Sequence, residues 1–164
     1  MIVVSNTSPL TNLAAVGQFD LLRRLYLEMH IAAAVWDELN AGGKPWPGSK
    51  EVASVDWVYR HPVKNQLLVT ALMRDLDRGE AETIGLALEM GADIILLDER
   101  EGRHMARRFG LRPLGVIGIL LEAKRKGFID CIQTYLDGLR ETAGFWINAS
   151  LYDAVLKMAG EEGT

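Results

Sequence analysis

Short, continuously apolar runs alternate along the chain with stretches in which apolar residues recur every three or four positions. The clearest unit is Leu76–Glu99, LDRGEAETIGLALEMGADIILLDE. Asp77 followed by Glu80 reads as a helix start, Ile84, Ala87 and Leu88 recur at helical spacing, and Gly91 is a natural C-terminal stop. Ile94–Leu97 is apolar at every position between Asp93 and Asp98, the pattern of a strand buried on both faces of a parallel sheet. A helix over 80–90 rises about 15 Å, and a strand over 92–98 covers about 20 Å. Joined by so short a turn they run antiparallel, so Glu80 and Asp98 return to the same edge of the sheet. That edge holds the carboxyl ends of the strands, where open α/β folds keep their sites.

The same pattern predicts strands at Ile2–Val4, Met29–Ile31, Trp57–Tyr59, Arg112–Leu114 and Phe145–Ile147. Helices are expected from Ser8 or Pro9 to Val16, then over 19–26, 33–40, 50–55, 66–76, 100–109, 116–126 and 129–139, with a last one capped by Ser150 and ending at Met158. Residues 41–49, AGGKPWPGS, form the densest cluster of breakers and read as a loop. Strands alternating with helices throughout imply a three-layer α/β/α sandwich around a mostly parallel central sheet, with residues 1–164 as a single domain.

Composition narrows the partners. One cysteine, Cys131, leaves no intramolecular disulfide and no multi-cysteine zinc site, and the three histidines have no zinc spacing. Cys131 is expected in a helix as a buried structural thiol. The first residues lack a signal-peptide pattern, no apolar run reaches membrane-spanning length, and a cytoplasmic protein without a membrane partner is the expectation. A net charge of −4 argues against a surface coated for duplex DNA. An acidic, metal-binding cleft would carry that sign.

Four residues fall at the carboxyl edge: Asn6, Glu38, Glu80 and Asp98. Carboxylates gathered there resist joint ionisation unless a cation joins them. Oxygen donors of this kind suit Mg²⁺ or Mn²⁺, and the chemistry that follows is metal-assisted phosphodiester hydrolysis. Each residue alone has a plainer reading: Glu80 completes a capping box, Glu38 is solvated beside Trp36 and Leu39, and Thr7 and Ser8 start a helix rather than orient a metal-bound water. Their shared edge is what points to a site. Arg100, Arg103 and Arg107 share one face of a helix beginning beside Asp98, and His104 and Arg108 share another. That basic face is either solvated or a grip for the phosphates of an entering strand. P-loop, dinucleotide and nucleophile-elbow patterns are absent.

VSNTSPLTNLA at 4–14, AVWDEL at 34–39, the 76–99 unit and GVIGILLEAKRKGFI at 115–129 resemble the PIN domain, in particular a small prokaryotic branch opening on a VSDTSPL-type motif. The resemblance implies a metal-dependent ribonuclease, in many small members the toxin of a toxin–antitoxin pair. It transfers the family's acidic site to Asn6, Glu38, Glu80 and Asp98, with Thr7 or Ser8 supporting the first position. It also implies an RNA substrate, a homodimer and a small antitoxin as partners. The departure is Asn6, which stands where the family has an acid. It leaves open a weakened or inactive member, a different metal balance, or an introduced Asp-to-Asn change. The rival to a nuclease is a PIN-fold module that no longer cuts and binds RNA or a protein through the 100–108 helix; another phosphate-ester enzyme on a similar sheet is a third reading.

Overall fold

The computed structural model describes residues 1–41 and 46–161. Five parallel strands form one sheet: β1 (Val3–Ser5), β2 (Met29–Ala32), β3 (Val58–His61), β4 (Ile94–Leu96) and β5 (Pro113–Leu114), in the order β3-β2-β1-β4-β5. Ten helices flank it among the described residues: α1 (Thr7–Ala15), α2 (Leu21–Tyr26), α3 (Ala33–Leu39), α4 (Ser49–Ser54), α5 (Gln66–Leu72), α6 (Arg78–Met90), α7 (Arg100–Arg108), α8 (Val116–Arg125), α9 (Ile132–Glu141) and α10 (Ala149–Met158). None is long and apolar enough to cross a membrane.

Side-chain alternation along the strands divides the interior in two. Val3, Met29, Ile31 and Leu96 point into the larger core with α1, α2, α4, α8, α9 and α10. Val4, Ala32 and Ile95 point the other way, against α5, α6 and α7. Both faces of the sheet are therefore covered, which is why these strands read as unbroken apolar runs, and the result is the expected three-layer α/β/α sandwich.

The strand order reverses at β1. The chain goes from β1 to β2 and β3 on one side, then crosses to β4 and β5 on the other. Val3, Val4 and Ser5 pair with Ile94, Ile95 and Leu96, so the carboxyl ends of β1 and β4 lie side by side. A parallel sheet opens a crevice at such a switch point.

Several boundaries differ from expectation, each for a local reason. Phe145–Ile147 is not a strand: the Phe145 N–H donates to the Leu139 carbonyl at 2.8 Å and the Ile147 carbonyl accepts from Arg140 at 2.9 Å, so these backbone groups serve α9 instead of a ladder. The α9 helix begins at Ile132, where the Glu161 carboxylate accepts the N–H groups of Ile132 (2.8 Å) and Gln133 (3.3 Å). Cys131 lies exposed just before that helix, with Sγ 3.2 Å from Glu161, and is not the buried thiol expected. Asn148, not Ser150, caps α10, accepting from Leu151 N–H at 2.7 Å. At the start, Phe19 packs on Trp57 with ring centroids 5.2 Å apart, and α2 begins two residues later. Of the loop expected over 41–49, residues 42–45 lie outside the described residues, and Ser49 already opens α4.

Tyr26 ends α2 inside the larger core, and its hydroxyl is buried without a hydrogen-bond partner among the described residues. Burial, then the nearby Glu122 carboxylate, pushes its pKa up to about 12. An unfolded chain ionises this phenol from about pH 10. The folded chain holds the proton longer, so the Tyr26 contribution to stability is full below pH 10 and is lost as pH rises through about 12. Tyr26→Phe is expected to raise stability at pH 7 by about 1 kcal/mol, because it removes an unpaired buried hydroxyl. Denaturant melts at pH 7 and pH 11 check both parts: the variant's advantage should widen at the higher pH.

Candidate active site

Asn6 leaves β1 and donates its backbone N–H to the Leu96 carbonyl at 3.0 Å, which fixes it at the junction with β4. Its side chain is buried, with Oδ1 3.5 Å from the Thr83 hydroxyl on α6. The same hydroxyl donates to the Gly79 carbonyl one turn earlier, at 2.6 Å. The first turn of α6 thus packs directly over the end of the central strand.

Glu38, in the last turn of α3, reaches that helix start too. Its carboxylate accepts from the Thr7 hydroxyl and from the Gly79 N–H. Space there is tight: a Cβ on residue 79 would lie 2.1 Å from Glu38 Oε1. Burial first, and then the charges of Asp77 and Glu82, hold the Glu38 carboxyl above its usual range. The N–H of a helix N-terminus favours the anion in the opposite sense.

Glu80 sits at the third position of α6 and closes the capping box read from the sequence: its backbone N–H donates to Asp77 Oδ1 at 2.8 Å, and its own carboxylate accepts from the Asp77 N–H at 3.3 Å. It is nevertheless buried, at 7% exposure. Burial, reinforced by Asp77, Glu99 and Glu38, pushes its pKa up to about 7. The capping role and a buried place in the crevice are therefore compatible on one side chain.

Asp98, two residues past β4, accepts from the Val116 N–H at 2.7 Å and from Asn12 Nδ2 at 3.0 Å. Burial raises its pKa against the lowering pull of these bonds and of Arg103. A Cβ on residue 115 would lie 3.1 Å from both Asp98 Oδ1 and the Arg103 guanidinium, so the three meet at the start of α8. Arg103 and Arg107 line a recess of about 310 Å³ beside Asp98, and with Arg100 and His104 they line a second hollow of about 470 Å³. The Ser8 backbone carbonyl accepts from the Thr11 hydroxyl at 3.1 Å.

The structure thus places Asn6, Thr7, Glu38 and the α6 start together, and it sets Asp98 across the β1–β4 junction from them. Asp56 and Asp93, which precede β3 and β4, fall at the opposite edge, with Asp93 accepting from the Ile2 N–H at 2.7 Å. Among the described residues, no three of His, Cys, Asp and Glu come close enough together to hold a metal ion. The donor chemistry still suits a hard cation. Glu38 and Glu80 are both desolvated, the Glu38 charge adds to the rise at Glu80, and Mg²⁺ binds through one or two carboxylates plus waters and substrate phosphate.

A family model described as DUF3368, PIN domain, matches residues 2–161. The chain belongs to the PIN-domain family. No curated protein matches the sequence. PIN domains are a nuclease fold and generally use divalent metal ions.

Three residues of this PIN domain's crevice have roles that the sequence did not mark. Asn12 reaches Asp98 from one turn into α1, and only its spacing of two turns from the β1 end hints at this. Glu82 is buried and accepts from the Ala34 N–H at 3.2 Å while Arg78 pairs with it at 3.4 Å. It fastens α6 to the start of α3 and so positions Glu38. Gly79 carried the third signal, a glycine at the second position of a helix, where a side chain would normally be harmless.

Proposed function

We propose that this PIN domain is a Mg²⁺- or Mn²⁺-dependent endoribonuclease, with Glu38, Glu80 and Asp98 as its acidic residues and Asn6 as a weakened fourth position. The observation that carries the reading is the placement of Asn6 and Asp98 at the ends of β1 and β4, the point where the strand order reverses. Glu38 and Glu80 would hold the metal, and the metal would supply an activated water and stabilise charge on the leaving oxygen. Thr7 and the Gly79 N–H keep the Glu38 carboxylate aimed, and Asn12 with the Val116 N–H does the same for Asp98. Arg103 and Arg107, beside Asp98, are placed to bind backbone phosphates, with Arg100 further along the same helix.

Asn6 is the source of the attenuation in this reading. The missing charge lies at the central strand, between the α3–α6 acids and Asp98. Restoring it makes an acid the common neighbour of both groups. A second reading, a non-cutting module that binds RNA or a protein through α7, draws on the same substitution and on the internal hydrogen bonds of all three carboxylates.

Mn²⁺ titration calorimetry on the chain and on Asn6→Asp tests the two. If the site is attenuated, Asn6→Asp binds at least about tenfold more tightly, because one added charge at short range is worth more than about 1.4 kcal/mol even in a polar cleft. Metal binding by neither protein would favour the binding module. We extend the proposal to a cytoplasmic homodimer and to a role as the toxin of a toxin–antitoxin pair, held by a small antitoxin. Trp146 (79% exposed) and Met158 (66%), at the C-terminal helix, supply apolar surface for a protein contact.

A further inference from the structure

A pocket of about 490 Å³ opens beside the crevice, with none of Arg100, Arg103 and Arg107 in its lining. Thr7, Thr11 and Asn12 of α1 wall it, with Glu38 of α3, Trp46 and Ala143. It shares Thr7 and Glu38 with the acidic site, and Asn12 is the residue that binds Asp98. We propose that this pocket is a nucleobase subsite, in which one unpaired base of a single-stranded RNA stacks on Trp46 beside the scissile phosphate. The proposal rests on the nuclease reading and adds to it a pocket for one base and the residue on which that base stacks.

Four observations carry it. The volume lies within the range of small-ligand sites and suits a single base with its sugar. Trp46 is 55% exposed, an unusual state for so large an apolar ring, yet its Nε1–H is committed to the Ala41 carbonyl at 3.1 Å and Pro47 follows it. A proline restricts the backbone of the residue before it, and the Nε1–H bond to Ala41 anchors the ring itself. Charge separates the two sides of the crevice. Arg103 and Arg107 beside Asp98 supply the cations that draw phosphates, whereas the Trp46 pocket has no arginine or lysine among the described residues of its lining, which makes a base the part of a strand that fits there. Finally, the Asn12 amide and the Thr11 hydroxyl oxygen give a base edge a donor and acceptors. A base can enter only when it is not paired, so duplex RNA is a poor ligand.

The test measures binding of a labelled single-stranded hexaribonucleotide by fluorescence anisotropy, in EDTA so that nothing is cut. Trp46→Ala is expected to weaken binding about 5- to 150-fold, the range for loss of one stacked base. Trp46→Phe should stay within about threefold of the parent chain, since a phenyl ring still offers a stacking face. A matched strand with one abasic position, moved along the hexamer, should at one register bind the parent chain as weakly as Trp46→Ala binds the full strand, and there the two proteins should no longer differ. The same hexamer annealed to its complement should bind weakly to all three. Trp46→Ala binding as tightly as the parent overturns the subsite. Cleavage with Mn²⁺ is read separately, on the chain and on Asn6→Asp: a strand held through Trp46 but cut by neither keeps the subsite and removes the nuclease, whereas a strand cut by a chain indifferent to Trp46→Ala does the reverse. A parent chain that does not bind the hexamer overturns the subsite, and the cleavage assay alone then decides the nuclease reading.

Discussion

Asp98→Asn is expected to lower metal-dependent RNA cleavage by about 10²-fold or more while the fold stays intact. The magnitude follows from removing a fixed charge next to the reacting phosphate in a desolvated crevice, where such groups are worth far more than in water. The fold survives because the amide that replaces the carboxylate can keep both bonds of the native side chain. Its oxygen still accepts from the Val116 N–H, and Asn12 can turn its own amide to present an oxygen to the new NH₂ group. Burial already disfavours the charge at this position, so the neutral amide should melt at the native temperature or slightly above. Cleavage of a labelled RNA, compared with thermal melts of the same preparations, checks both halves. The measurement is best made in the Asn6→Asp chain as well, where activity is expected to be highest. Unchanged turnover in Asp98→Asn would remove Asp98 from the site.

Gly79→Ala should be nearly as damaging to the site without touching any acid. A methyl group on residue 79 would sit 2.1 Å from Glu38 Oε1 and 2.7 Å from its Cδ, so the Glu38 carboxylate must swing away. It then loses the Gly79 N–H and the Thr7 hydroxyl together. Helix propensity pulls the other way, since alanine is favoured over glycine inside a helix by about 1 kcal/mol. Stability should therefore change by no more than about 1 kcal/mol, while Mn²⁺ affinity and cleavage fall by about tenfold to 10²-fold, the scale of a misplacement near 1 Å. Gly102→Ala is the control: it faces the same crevice, but its Cβ would meet Leu97 at 3.5 Å and Glu80 at 3.8 Å, which is ordinary contact. If the two variants behave alike, Glu38 is not a ligand.

These cases show where the sequence was readable. Ile94–Leu97 announces a doubly buried strand because both faces of the sheet are covered, and the matched lengths of helix and strand return Glu80 and Asp98 to one edge. Those are properties of periodicity and of rise per residue, which tertiary contacts rarely override. Phe145–Ile147 has equally good strand composition and still fails, because α9 takes its backbone groups before a ladder can. Composition cannot register such competition. Among the candidate site residues, the acids were visible as charges in places where charge is costly. The roles of Asn12, Glu82 and Gly79 were not, since they depend on what packs opposite: Asp98, the Ala34 N–H and Glu38. Trp46 was legible only as part of a loop, because nothing local says which cavity an exposed indole borders.

The pairing of β1 with β4 also sets a clock. Val3 finds Ile94 far along the chain, and β5 must follow before β4 is covered on its other side. A chain leaving the ribosome has made Asn6, Glu38 and Glu80 while Asp98 is still unsynthesised, and its first strand waits with one neighbour instead of two. Contacts of such long range form slowly. Asp98, the Val116 N–H that holds it and the Arg103–Arg107 recess are all made after the half of the crevice that holds Asn6, Glu38 and Glu80, so the crevice is completed only once most of the polypeptide has emerged.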